Sequence, residues 1–289
     1  MSAITEATVR EVLGHFAEGR AALAAGIEVT ALVGGLENAT CRIRSRAGDW
    51  VLRIAGPRDA RFAINRVAEA QAQAAAAALG FGPSIVHAET SRGVLVSEFV
   101  PGRVWTREEV RSPDGLAILG ARLREMHGVP PPPGVRRMNV HDVLAHYLEY
   151  PAAPGGAISR EDLTARLRWS LATYRPPPPA LCHNDLHHLN LIGTDPLRFI
   201  DWEYAAVGDP VFELAAIIGY HDLDAEERAQ LLAAHGGNFA PAHVKRMCLV
   251  FDCLHALWLD AADGWATLAP ARLAALAARL EIDPAERRR

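Results

Sequence analysis

The chain changes its hydrophobic period at Pro101-Gly102, and that change limits its fold more than any other feature. Before the break, short runs rich in β-branched residues alternate with turn residues and helical stretches. Glu6 to Ala24 carries apolar side chains at helical spacing. Ile27–Leu32, Thr40–Arg44 and Trp50–Ile54 predict strands, with turns at Gly34-Gly35 and Ala47-Gly48-Asp49. Arg61 to Leu79, rich in Ala and Gln, predicts a helix stopped by Gly80. Ile85–His87 and Gly93–Val100 complete a sheet of about five strands. After the break the period is helical. Pro113 to His127 has Ser112 to cap it and Pro113 at its first position. Further helices are expected at 140–149, 159–174, 210–220, 224–235, 241–261 and 268–281. The proline runs at 130–133 and 176–179 read as spacer loops. The expected class is α+β: residues 1–100 form a small mixed lobe with an antiparallel sheet, and 101–289 a larger, mainly helical lobe.

Composition narrows the functions open to such a chain. Half the residues are hydrophobic and 22% are charged, too apolar for a disordered chain. The 30 basic and 34 acidic residues leave a net charge of −4, so no strong field draws the chain to nucleic acid or an anionic membrane. The four cysteines form no CxxC pair. The first residues, MSAITEATVREVLGHFAEGR, lack the apolar core of a signal peptide. The apolar stretch Met247 to Leu259 is too short, and too interrupted by Asp252 and His255, to span a bilayer. A cytoplasmic protein is expected.

Polar residues capable of chemistry concentrate in the non-helical insert at 181–201. His183-x-Asp185-x-x-x-x-Asn190 sits between apolar residues, and Phe199-Ile-Asp201-Trp-Glu-Tyr204 follows. Phosphoryl transfer from ATP calls for a carboxylate to take the proton of the attacking hydroxyl. It also calls for hard oxygen ligands that hold Mg2+ against the phosphates. A loop presenting Asp185 and Asn190 beside a strand carrying Asp201 can bring those oxygens to one point. The alternative is a local turn network with Asp201 as a helix cap. His187 and His188 are adjacent in the loop, so their side chains diverge and do not suit a zinc site.

These motifs resemble the choline/ethanolamine kinase and aminoglycoside phosphotransferase superfamily, over about Leu32 to Trp258. Ile200-Asp-Trp-Glu-Tyr204, Gly208-Asp-Pro and Glu213-Leu-Ala-Ala look most like bacterial choline and thiamine kinases. Aminoglycoside kinases more often carry Gly at the position of Glu203, which weighs against a role in antibiotic resistance. The resemblance implies a bilobal protein-kinase-like fold, with ATP and Mg2+ as cofactors and a small-molecule alcohol as acceptor. It implies Asp185 as the catalytic carboxylate, Asn190 and Asp201 as metal ligands, and His183 as a structural residue orienting the loop. Val51-Leu-Arg53-Ile54 matches the strand bearing the phosphate-contacting cation, and Glu69 its carboxylate partner. The alternative is that Arg66 and Glu69 form a surface i,i+3 pair. Val33 to Asn38 resembles the phosphate-binding turn, with Asn38 as its polar contact. Val96 to Val100 resembles the hinge that meets adenine, with Glu98 and Val100 on the nucleotide.

Choline and thiamine are cations, and desolvating a cation calls for aromatic faces or carboxylates. Glu203, Tyr204 and Trp258 are therefore candidate acceptor contacts, although Glu203 could instead lie beside the metal and Trp258 could be core. Trp202 is expected to pack inward, and Asp209 to cap the helix that starts at Pro210.

Overall fold

The computed structural model describes residues 4–32, 38–149, 160–193, 195–262 and 278. Most of the phosphate-turn stretch 33–38 and the helix expected at 268–281 lie outside the described residues, although Asn38 is within them.

Residues 6–25 form two helices, α1 (Glu6–Gly14) and α2 (Ala17–Ala25), where a single one was expected. Phe16 breaks them: its backbone is extended, and its ring stacks on His87 at 4.4 Å and leans on Trp50 at 6.1 Å. Here a tertiary contact overrides the local period. Five strands follow in the expected places: β1 (Glu28–Leu32), β2 (Ala39–Arg44), β3 (Asp49–Ile54), β4 (Ile85–Glu89) and β5 (Val94–Glu98). They pair antiparallel in the order β1-β2-β3-β5-β4. Cys41, Leu52 and Val96 stand side by side in the register and face Val9, Val12 and Leu13 of α1 in one apolar cluster. Arg53 is the next residue after Leu52, so the two-residue period turns it to the opposite face.

Helix α3 (Arg66–Ala78) lies on that opposite side. It starts later than expected because Asn65 caps it, accepting the N–H groups of Val67 and Ala68. Arg66, Glu69, Gln73 and Ala76 form its buried stripe. Phe62, Ala72, Ala76 and Phe81 pack with the helical region and not with the sheet's own cluster. The apolar core of the helical region therefore reaches back to side chains that precede Pro101-Gly102.

The helical region comprises α4 (Arg107–Arg111), α5 (Pro113–His127), α6 (Val140–Leu148), α7 (Arg160–Ala172), α8 (Pro210–His221), α9 (Ala225–His235) and α10 (Pro241–Ala261). Helix α4 was not expected, though Thr106 and Glu109 spell its capping box. Asp209 caps α8 as expected, through the Val211 N–H. Four short strands in two antiparallel pairs lie in and around the insert. β6 (Ala180–Cys182) pairs with β9 (Ala206–Gly208), and β7 (Leu191–Ile192) with β8 (Arg198–Phe199). Trp202 is fully buried and donates its indole N–H to Phe199 O at 3.0 Å. No helix among the described residues is long and apolar enough to cross a membrane.

Candidate active site

Strand β6 delivers the chain to a tight turn at His183 and Asn184. Both backbone N–H groups donate to Oε1 of Glu213, at 2.6 and 2.9 Å. Asn184 has φ of 66°, a left-handed conformation that asparagine tolerates better than most residues. The His183 ring is buried and neutral, its pKa pulled below the usual range mainly by burial. Its Nε2 lies 2.8 Å from Ile200 O, so it is the donor there and ties the turn to the strand leading to Asp201. The Ile200 N–H donates back to Asn190 O at 3.1 Å. Two bonds thus join the halves of the motif.

Asp185 follows the turn. Its Oδ1 accepts the Tyr220 hydroxyl at 2.6 Å, and Asn190 Nδ2 donates to its carbonyl at 2.8 Å and to Oδ2 at 3.3 Å. Burial pushes the Asp185 carboxyl up to about 6 against the lowering effect of the Tyr220 bond. The His187 Nε2 lies 3.7 Å from Oδ2, and burial lowers that imidazole to about 4, so it is neutral. Nothing in the sequence marks Tyr220, which ends an apolar helix. Edge-on contacts with Phe251, His255 and His187 hold its ring.

On the other side of Asp201 lies a buried charged cluster. Arg53 donates to Glu69 at 2.8 Å. Arg66 donates to Glu69 at 2.9 Å, to Glu203 at 2.9 Å, and through two nitrogens to Asp59. Glu69 thus bonds both arginines, and its i,i+3 pair with Arg66 is buried instead of lying on the surface. Glu203 Oε2 also accepts from Asn38 at 3.0 Å, and Arg53 approaches it at 3.4 Å. Oxygens of Glu69, Asp201 and Glu203 lie within 4.8 Å of one another. Asp201 has φ of 67°, and its Oδ1 is buried with no hydrogen-bond partner among the described residues. Burial pushes the carboxyls of Asp201 and Glu203 upward; the charges of Glu69 and Asp185 add to the shift at Asp201, and that of Asp201 adds to it at Glu203.

The structure joins two of the three candidate acceptor contacts and turns the third elsewhere. Trp258 Nε1 donates to Tyr204 Oη at 3.0 Å, and the Trp258 ring lies 5.6 Å from Phe62. Glu203 does not join them: its carboxylate is turned to Asn38, Arg53 and Arg66 because burial demands cationic and N–H partners. Glu98 and Val100 stand at the end of β5, where Glu98 is exposed and pairs with Trp50, and the Phe99 N–H donates to Asp49 O. Sequence reasoning missed Tyr220, the hub role of Arg66, and the anchoring role of Glu213.

A five-stranded antiparallel sheet, a helical region and a looped carboxylate pair between them define the class: a protein-kinase-like phosphotransferase. The profile of the phosphotransferase enzyme family (APH) matches residues 28–246, and the chain belongs to that family. The protein LicA homolog of Metamycoplasma hominis is 36% identical over 80 residues, 27% of this chain and 32% of that protein. LicA of Haemophilus influenzae is 40% identical over 86 residues, with the same two shares. The matched part thus spans about a third of these curated relatives. A choline/ethanolamine kinase family protein from Mesorhizobium loti superposes with a TM-score of 0.71 at 26% identity, covering 96% of this chain and 95% of that one. Choline kinase LicA from Streptococcus pneumoniae gives 0.74 at 16% identity, covering 91% and 96%. LicA in complex with AMP gives 0.71 at 16% identity, with the same coverage.

Proposed function

We propose that this phosphotransferase moves the γ-phosphoryl group of ATP to the hydroxyl of a small cationic alcohol, choline or ethanolamine before thiamine. One observation carries the reading: Asp185, Asn190 and Asp201 are held together by the His183–Ile200 and Asn190–Ile200 bonds. The likeness to choline/ethanolamine kinases supports the acceptor class, and the AMP complex of LicA supports the nucleotide. In this reading residues 1–100 are the nucleotide-binding lobe and 101–289 the catalytic lobe.

The donor set fits Mg2+: hard oxygens, with the orphaned Asp201 Oδ1 among them. Asp201 and Asn190 would hold the ion, whose bound charge would offset that of the phosphates. Asp185 accepts the proton of the attacking hydroxyl, while Tyr220 and Asn190 fix the rotation of its carboxylate. Arg53 contacts phosphate and is steadied by Glu69, with Asn38, Glu98 and Val100 on the nucleotide side. Glu203 orients the cluster from the metal side, and Tyr204 and Trp258 offer aromatic faces to the acceptor.

The test is ATP consumption with Mg2+ over choline, ethanolamine, thiamine, aminoglycosides and neutral sugars. Turnover of choline or ethanolamine above all others supports the reading. Turnover of a neutral sugar alone overturns the cationic acceptor.

A further inference from the structure

Behind the turn that carries Asp185 runs a buried chain of polar groups. Oε1 of Glu213, in α8, accepts the His183 and Asn184 N–H groups, at 2.6 and 2.9 Å. Its Oε2 lies 2.6 Å from Nε2 of His127, at the end of α5. Nδ1 of His127 lies 2.9 Å from Nε2 of His235, at the end of α9. The side chains of His127 and Glu213 are 4% and 0% exposed, so water does not substitute for any of these bonds.

The proton positions follow from the partners. A carboxylate only accepts, so His127 Nε2 is a donor. Burial holds His235 neutral, with its pKa lowered to about 4. Its Nδ1 is buried without a partner among the described residues. A bare lone pair there costs less than an unbonded N–H, so the proton sits on Nε2 and His235 donates to His127. The bonds then converge on Glu213: His235 donates to His127, His127 donates to Oε2, and the two N–H groups of the turn donate to Oε1. Cys182 Sγ lies within 4.8 Å of the same His127 and Glu213 atoms. Full burial pushes that thiol well up, and both Glu213 oxygens already accept bonds, so the group does not read as a metal seat.

We infer that His127 is a positioning residue for phosphoryl transfer, acting through Glu213 on the turn that presents Asp185, with His235 as its support. This rests on the reading of Asp185 given above. Without the His127 donor, Oε2 of Glu213 would be left buried and unbonded, and its carboxylate would be free to rotate. The turn leans on that carboxylate, because one oxygen of it takes both of the turn's backbone N–H groups. A shift of about 1 Å in a reacting group can cost about 100-fold in rate.

The experiment compares His127→Leu, His127→Gln and Asp185→Asn in the full chain. The readouts are Mg2+-dependent phosphorylation of choline, ATP affinity, and amide hydrogen exchange at His183 and Asn184. In His127→Leu, kcat should fall about 10- to 100-fold with the KM for ATP nearly unchanged, and both amides should exchange faster. Glutamine puts an N–H near the place of Nε2, so His127→Gln should recover most of the loss. A His127→Leu protein with wild-type kcat and protected amides overturns the inference. So does a loss that His127→Gln fails to rescue. If His127→Leu does not fold, His127→Asn replaces it, because its shorter amide falls short of Glu213. If Asp185→Asn turns over at the wild-type rate, the reading of Asp185 falls, while exchange at His183 and Asn184 still decides the anchor.

Discussion

Glu203 and Glu213 are both buried glutamates close together in sequence, yet they are held in opposite ways. Glu213 is bonded to two backbone N–H groups and a histidine ring, all from the helical region. Glu203 is bonded to Asn38, Arg53 and Arg66, all from the sheet and α3. The first is an anchor within one region. The second exists only when the two regions meet. Burying charges costs several kcal/mol per ion before pairing repays it, so a cluster of this kind is weak ground for stability. Its oxygens lie within 4.8 Å of those of Asp201, so under the proposed function the cluster serves the site more than the fold. The Glu213 side should therefore behave as a preformed support and the Glu203 side as an assembled one.

The largest expected effect tests the assembled side. Asp201→Ala should abolish Mg2+-dependent turnover and weaken Mg·ATP more than ATP alone, because a hard anionic ligand is lost. Calorimetry giving equal affinities with and without Mg2+ in both proteins would contradict that assignment. Asp185→Asn, on the anchored side, should lower turnover about 10²- to 10⁴-fold and leave ATP binding intact. It should not lower stability. The folded Asp185 carboxyl titrates near 6, above its unfolded value, so its ionisation works against folding as pH rises through that range. Thermal melting at pH 8 should show the variant at least as stable as the parent; a lower Tm would mean the carboxylate is a net stabiliser.

Glu203→Gln sharpens the contrast. It should lower kcat about 10- to 100-fold with the acceptor KM unchanged, as for a group that orients metal ligands. A raised acceptor KM with unchanged kcat would return Glu203 to the acceptor side. The pH profile gives a smaller effect. Asp185 must be ionised to accept a proton, so kcat/KM should be flat above about pH 6 and fall below it. Because Asp201 sits close by and is also shifted upward, the apparent value belongs to both carboxyls. The Tyr220 bond lowers the Asp185 pKa, so Tyr220→Phe should move the acid limb to higher pH. An unmoved limb would separate Tyr220 from Asp185. The smallest effect is expected at Trp258. Trp258→Leu keeps apolar bulk but loses the ring's attraction for a cation, roughly 0.5–2 kcal/mol. The acceptor KM should rise several-fold while that for ATP stays put. Equal binding of choline and a neutral isostere would end the aromatic-cage idea.

Much of this was legible from one dimension because the signals are local. His183, Asp185, Asn190 and Asp201 lie within one short insert, and the two-residue period of β3 alone sets Arg53 and Leu52 on opposite faces. The five strands, the Asp209 cap and the inward Trp202 follow from turn chemistry and apolar pattern. The capping box at Thr106 was equally local and could have revealed α4. Other features have no local signal. Phe16 looks like any apolar residue of a helix until His87 and Trp50 draw it out of the helical path. Arg66 reads as half of a surface pair until Glu203, 137 positions away, arrives to bond it. His127, His235 and Tyr220 sit at helix ends with no motif around them, and only the packing of α5, α8 and α9 turns them toward Glu213 and Asp185. Sequence alone determined which candidate site residues come together in one insert, because their spacing sets which way each side chain points. Tertiary structure decided which groups hold them in place, because a hydrogen bond between distant positions leaves no trace in the period of either segment.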